Sequence, residues 1–143
     1  MDRFARLTLP ASLNSLKALL DFAHAGAERA GLSPEQRNQL DLVLEELVVN
    51  VARYAYQPGN GDVELAYAVD GPGALLIEIS DKGRSFNPLE SSDPGLSDSL
   101  ADRPTGGLGL FLVRRMAGPI TYRRDHDRNT VSFRFPSPQS LEP

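Results

Sequence analysis

The sequence predicts a two-layer α/β sandwich of the α+β kind: a mixed, mostly antiparallel sheet of about five strands with three helices on one face. Three observations predict it. Segments of two-residue apolar period alternate with segments of helical period, and the later strand segments come in adjacent pairs joined by short turns. The 143 residues, 41% hydrophobic against 24% charged, supply apolar material for one core and not for two. One helical segment, 34–56, carries an apolar face broad enough to be the central element of that core.

The first strand is expected over residues 3–9 (RFARLTL), closed by Pro10 and lying at an edge of the sheet. Ser12 stands where it can cap the next helix, from Leu13 to about Ala30. In it Leu16, Leu19, Leu20, Phe22, Ala23 and Ala27 recur at near-helical spacing, and Gly31 ends it where a left-handed residue is easiest. His24 lies on this helix, has no partner evident in the sequence and is expected at the edge of the core. A stronger start signal follows in Ser33-Pro34-Glu35-Gln36, with a capping serine, proline at the first helical position and glutamine in capping-box position. Leu40, Val43, Leu44, Leu47, Val48 and Val51 form the apolar face of this helix, which runs to about Tyr56 before Pro58-Gly59-Asn60-Gly61 breaks it.

Two strands come next, 62–69 (DVELAYAV) and 74–80 (ALLIEIS), forming a hairpin across Asp70-Gly71-Pro72-Gly73. The stretch from Asn87 to Thr105 is rich in Ser, Asp, Pro and Gly and is long for a passive connection, which suggests a lid or binding loop. Gly106-Gly107-Leu108-Gly109 then opens a short buried helix (LFLVRRMAG) that stops at Gly118-Pro119. Two last strands, 120–124 and 129–135, make a second hairpin through Asp125-His126-Asp127-Arg128, with His126 as a turn residue. The chain therefore reads as one domain, 1–136, with a frayed polar tail at 137–143.

Composition narrows the chemistry. With 15 basic and 19 acidic residues the net charge is -4, which removes the usual electrostatic warrant for binding nucleic acid or an anionic membrane. No apolar run approaches the ~20 residues that span a bilayer, so a cytoplasmic location is expected. The absence of cysteine excludes disulfides, thiol catalysis and thiolate metal sites. The two histidines, His24 and His126, are far apart and sit in no metal-binding spacing.

Three patches can carry chemistry. At about 100° per residue, Glu46, Asn50 and Arg53 project from one flank of the apolar stripe. Glu46 and Asn50, four residues apart, present a carboxylate and an amide oxygen to a common ligand, a donor set that suits magnesium; the same spacing also describes a solvated flank with an i,i+4 hydrogen bond. The second patch, Asp81-Lys82-Gly83-Arg84-Ser85-Phe86, follows a strand end. There a carboxylate can accept from an exocyclic amine and a glycine lets a flat ligand approach, although Asp-x-Gly is also ordinary turn chemistry. The third, Thr105-Gly106-Gly107-Leu108-Gly109-Leu110, offers unblocked N–H groups at a helix start, where phosphate is favoured. It is neither the Walker pattern nor the Rossmann fingerprint, and a flexible hinge remains its plainer reading.

Their order and company resemble the GHKL ATPase family. EELVVNVARYAY with DKGRSF and TGGLGLFLV is similar to the anti-sigma-factor serine/threonine protein kinases of the RsbW type, over about residues 5–135. The resemblance implies a Bergerat-type ATP-binding fold and a kinase using ATP and Mg2+. In that reading Glu46 is the general base, and Asn50 is the magnesium ligand that bridges to the phosphates. Asp81 reads the adenine amino group, Gly83 lets the ring approach, and Thr130 supports adenine through a water. Gly107 and Gly109 border the phosphates, with Thr105, Leu108 and Leu110 beside them, and Phe86 and Arg53 belong to the same nucleotide site. The lid, about 87–106, contains Arg103, which would reach the terminal phosphates.

The chain departs from the family at Tyr54, where a histidine is usual, so no role of that histidine is carried over. The resemblance further implies a STAS-domain anti-anti-sigma protein as substrate, a sigma factor or equivalent as captured partner, and a homodimer. The alternative from another class is a partner-switch module of the same fold that binds ATP or protein without transferring phosphate; intact Glu46, Asn50, Asp81 and Gly83 argue against a module that has lost ATP, and only Glu46 separates a non-transferring ATP binder from a kinase.

Overall fold

The computed structural model describes residues 3–56, 59–85, 87, 113–117 and 119–136. The elements are β1 (Ala5–Pro10), α1 (Leu16–Ala30), α2 (Pro34–Asn50), β2 (Asp62–Val69), β3 (Leu75–Asp81), β4 (Thr121–Asp125) and β5 (Arg128–Phe135). A single 3-10 turn, Leu13–Ser15, precedes α1, a π-helical turn, Val51–Ala55, extends α2, and residues 113–116 are helical.

The five strands form one sheet in the order β1-β2-β3-β5-β4, with β1 and β4 at its edges. All four pairings are antiparallel, so the mixed sheet expected from sequence gives way, among the described residues, to a wholly antiparallel one. Hairpins account for β2–β3 and β4–β5, and β5 is inserted beside β3, which places the start of β5 against the end of β3.

Alternation along the strands sets one face against the helices. Leu65, Ile79 and Val131 are cross-strand neighbours, as are Tyr67, Ile77 and Phe133, and all of them lie in the core with Leu19, Leu40, Leu44 and Val48 of the helices. The helix α1 lies over β2: the Phe22 and Tyr67 rings are 5.0 Å apart, and a Cβ at Gly26 would overlap the Tyr67 ring. Fully burying a leucine contributes about 1.5–3 kcal/mol against about 1 kcal/mol for a helix cap, so this interlayer packing dominates the stability.

Local signals behave as their chemistry requires. The Ser33 side chain accepts from Gln36 N–H at 3.1 Å while Gln36 Oε1 accepts from Ser33 N–H at 2.9 Å, the reciprocal capping box, with Pro34 at the first turn. Gly31 ends α1 at φ 76° and His126 occupies the β4–β5 turn at φ 54°. Ser12, by contrast, makes no side-chain cap; it precedes the 3-10 turn, and α1 starts three residues later than expected. His24 is half-buried at the edge of the core as expected, and its Nε2 meets Asp41 Oδ1 of α2 at 2.5 Å, a partner 17 residues away that one helix's pattern could not reveal.

Candidate functional site

The site grows from the end of β3. Leu75, Ile77 and Ile79 face the helices, so Asp81, next in that alternation, does too. It is 7% exposed, and its Oδ1 accepts from Gly83 N–H at 2.9 Å and from Asn129 Nδ2 at 2.8 Å. Its Oδ2 takes no hydrogen bond from the described residues. Such a carboxylate is half used: one oxygen fixes its orientation and the other is left to a ligand donor.

Helix α2 supplies the facing wall. Asn50, 6% exposed at its last turn, shares a cleft with Asp81, Asn129 and the apolar Leu47, Val51, Ile79 and Val131. Its walls, apolar with a few convergent polar groups, have the character of a site for a flat heteroaromatic ligand, but the space between them is only about 10 Å³, room for a water, so a ring enters only as the walls part. One turn earlier, Glu46 is half-buried and its Oε2 is buried with no hydrogen-bond partner. Burial pushes the Glu46 carboxyl above its ordinary value, against the opposing pull of the Arg53 charge and the Asn50 amide. The trio predicted from spacing is thus assembled, with Asn50 drawn into the core boundary and Arg53 left exposed.

The helical projection fails past Asn50, because the π-helical turn has an i→i+5 ladder and rotates less per residue. Tyr54, on this turn, is half-buried, and its backbone oxygen accepts from Arg84 Nε at 3.0 Å. The same turn holds the loop after β3, with Arg84 N–H donating to the Ala55 carbonyl at 2.9 Å.

Two assignments are corrected. A Cβ at Gly83 would overlap the Ala55 carbonyl, so this glycine is required by the approach of helix end to loop, and the space it leaves is filled by backbone rather than open to a ring. Thr130 faces away from the helices: it pairs with Ser80 across the ladder, and the two hydroxyls are 3.3 Å apart on the outer sheet face. One residue along a strand is one face of the sheet, and Asn129 takes the position beside Asp81. The inward series Val131, Phe133 and Phe135 was the sequence signal for it. Tyr122 and Arg124 were also missed; both bond Asn129 Oδ1, and no motif marks them.

Phe86, Arg103, Thr105, Gly107, Leu108, Gly109 and Leu110 lie outside the described residues, as do most of the expected lid and the tail 137–143. A roomier depression of about 420 Å³ opens past the end of β3, where Tyr56 and Asp81 border it together with Glu64, Ser80 and Arg128 of the outer sheet face. There Glu64 is held by Arg6 at 3.0 Å and Thr8 at 3.4 Å, and Ser80 meets Thr130, so volume alone does not make it the site. Among the described residues no three His, Cys, Asp or Glu side chains converge as a metal cage, and no helix is long and apolar enough to cross a membrane.

Residues 9–135 match the family model described as the histidine kinase-like ATPase domain. The chain is 28% identical over 101 residues to the serine/threonine-protein kinase BtrW of Bordetella bronchiseptica, covering 71% of each chain. It is 24% identical over 149 residues to the serine-protein kinase RsbW of Bacillus cereus, covering 99% of this chain and 92% of that one. The fold resembles the crystal structure of the RsbU and RsbW domains of Rv1364c from Mycobacterium tuberculosis, with a TM-score of 0.60 at 15% identity, over 95% of this chain and 34% of that longer one.

Proposed function

The chain belongs to the histidine kinase-like ATPase family, and from that premise we propose that it is an Mg-ATP-dependent serine/threonine protein kinase of the RsbW type acting as an anti-sigma regulatory factor. One observation carries the reading: a buried carboxylate, Asp81, oriented through Oδ1 and open at Oδ2, faces Asn50 of α2 across an apolar cleft.

In this reading Asp81 Oδ2 accepts from the exocyclic amine of adenine while Leu47, Val51, Ile79 and Val131 enclose the ring. Asn50 presents its side-chain oxygen toward the phosphates. A lone amide oxygen fits magnesium, which takes one or two protein oxygens and completes its shell with water and phosphate; Asn50 would hold the ion, whose charge offsets that of the phosphates. Glu46 takes the proton of the attacking serine or threonine hydroxyl. Burial favours that role, because a carboxyl raised above its ordinary value accepts a proton more readily, and its unpartnered Oε2 is the atom to do so. Arg53 helps keep Glu46 ionised.

The acceptor in this proposal is a STAS-domain anti-anti-sigma protein, and the competing partner is a sigma factor or equivalent. The protein acts as a homodimer in the cytoplasm, with the domain spanning 1–136 and residues of about 87–106 closing over the nucleotide. The decisive experiment is calorimetric titration with ATP, with and without magnesium, beside an Asp81→Asn control. Saturable, magnesium-dependent binding that the control loses supports the site. An absence of binding at millimolar ATP would remove the kinase and leave a protein-binding module.

A further inference from the structure

The hydrogen bonds around Asn129 go beyond holding a sheet together. Asn129 is 2% exposed and every polar atom of its side chain is engaged. Its Oδ1 accepts from Tyr122 Oη at 2.6 Å and from Arg124 Nη1 at 3.2 Å; its Nδ2 donates to Asp81 Oδ1 and to the Arg84 carbonyl, each at 2.8 Å. A guanidinium can only donate, so Arg124 fixes which end of the amide is oxygen and thereby turns the NH2 toward Asp81. The same Arg124 Nη1 donates to the Gly83 carbonyl at 2.7 Å, tying the loop that follows Asp81 to the edge strand β4.

We propose that Asn129, oriented by Tyr122 and Arg124, is a positioning residue that makes Asp81 a reader of exocyclic amines, so that base selectivity is set from the β4–β5 hairpin. The inference rests on the nucleotide site proposed above. Asn129 does not touch the base, for its amide is already committed on both ends. What it does is occupy Asp81 Oδ1 together with Gly83 N–H, leaving Oδ2 as the carboxylate's open acceptor. A base with an amine at that position gains a charge-assisted bond. A base with a carbonyl there meets lone pairs with lone pairs and is rejected.

The probe pair is ATP and ITP, which differ by amine against carbonyl at C6 and, with it, by acceptor against N–H donor at N1. Calorimetric affinities of both are measured for the full chain and for Asp81→Asn, Asn129→Asp and Tyr122→Phe, with a thermal melt of each. Asn129→Asp is nearly isosteric, and Tyr122 and Arg124 can still donate to it, but it sets a second carboxylate against Asp81 and the Arg84 carbonyl in place of the amide donor. Tyr122→Phe removes one hydroxyl and serves as the milder second variant.

Expected is a preference for ATP over ITP of roughly tenfold or more in the unaltered protein. Asn129→Asp should lose most of that preference with a lowered melt, since it buries a second carboxylate beside Asp81, and Tyr122→Phe should narrow it severalfold with a melt close to the parent. A merely structural role would weaken both nucleotides equally and leave the ratio alone. If the ratio collapses in Asp81→Asn but persists in Asn129→Asp and Tyr122→Phe, the positioning role is overturned while the nucleotide site stands. If the unaltered protein binds neither nucleotide, the nucleotide reading falls and this inference with it.

Discussion

The strand side and the helix side of the site are built on opposite principles: Asp81 and Asn129 line the cleft, whereas Glu46 stands one helical turn before Asn50 and outside that lining. On the sheet side Asp81 Oδ1 and both ends of the Asn129 amide are bonded, each bonded atom orienting the next, and Asp81 Oδ2 alone is left open. On the helix side Glu46 has a buried oxygen without a partner and a carboxyl lifted by burial. A group that must recognise the same shape every time is best held rigidly, since its hydrogen bonds are then prepaid. A group that must accept a proton is best left incompletely satisfied, because each bond to the anion would lower its basicity. In the proposed function this difference gives recognition to the strands and reactivity to the helix.

The comparison can be broken or sharpened by substitution. Glu46→Gln should have the largest effect, lowering phosphate transfer by roughly 10²–10⁴-fold while ATP binding stays near the parent value. Single-turnover transfer from labelled ATP to a STAS-domain substrate, run beside calorimetry, measures both; parallel loss of binding would assign Glu46 a structural role. Asp81→Asn should cost nucleotide affinity by roughly 100-fold, about 3 kcal/mol, since an amide can satisfy the Gly83 donor or the ligand amine less well than a carboxylate. Unchanged affinity in that variant would sink the sheet side of the comparison.

Gly83→Ala should destabilise the fold by about 1–3 kcal/mol, because the added methyl must displace the Ala55 carbonyl that closes the π-helical turn. Urea unfolding would show it, and a neutral result would mean that the loop and helix end part easily. The smallest expected effect is a pH dependence. Because the folded-state Glu46 value is raised, its contribution to stability is fully present below the unfolded carboxylate value, about 4.3, and is lost as pH rises through the folded value. The stability of Glu46→Gln relative to the parent should therefore increase with pH across that window; melts showing a constant difference would contradict the burial argument.

Much of the architecture was legible because its signals are local. The capping box at Ser33–Gln36, the left-handed Gly31 and the hairpin turns each depend on residues within one turn of chain, and the apolar alternation of β2 and β3 fixed which face met the helices. The placement of Glu46 and Asn50 on one helix and of Asp81 at a strand end was legible for the same reason, as positions on a periodic element or at its end. Thr130 was misread by one residue even though Val131, Phe133 and Phe135 carried the correct phase, which shows how sharply a strand punishes a slip.

The sequence by itself determined the periods, the caps and the turns, and hence the layers and the residues that border the core. Only the tertiary structure decided which polar groups meet. The Asp81–Asn129 bond spans 48 residues, His24–Asp41 spans 17, and Gly83 owes its lack of a side chain to Ala55, which is 28 positions earlier in the chain (83 − 55). Such contacts are made by strand order and helix docking. Those depend on the summed burial of many apolar side chains, and no single motif encodes them.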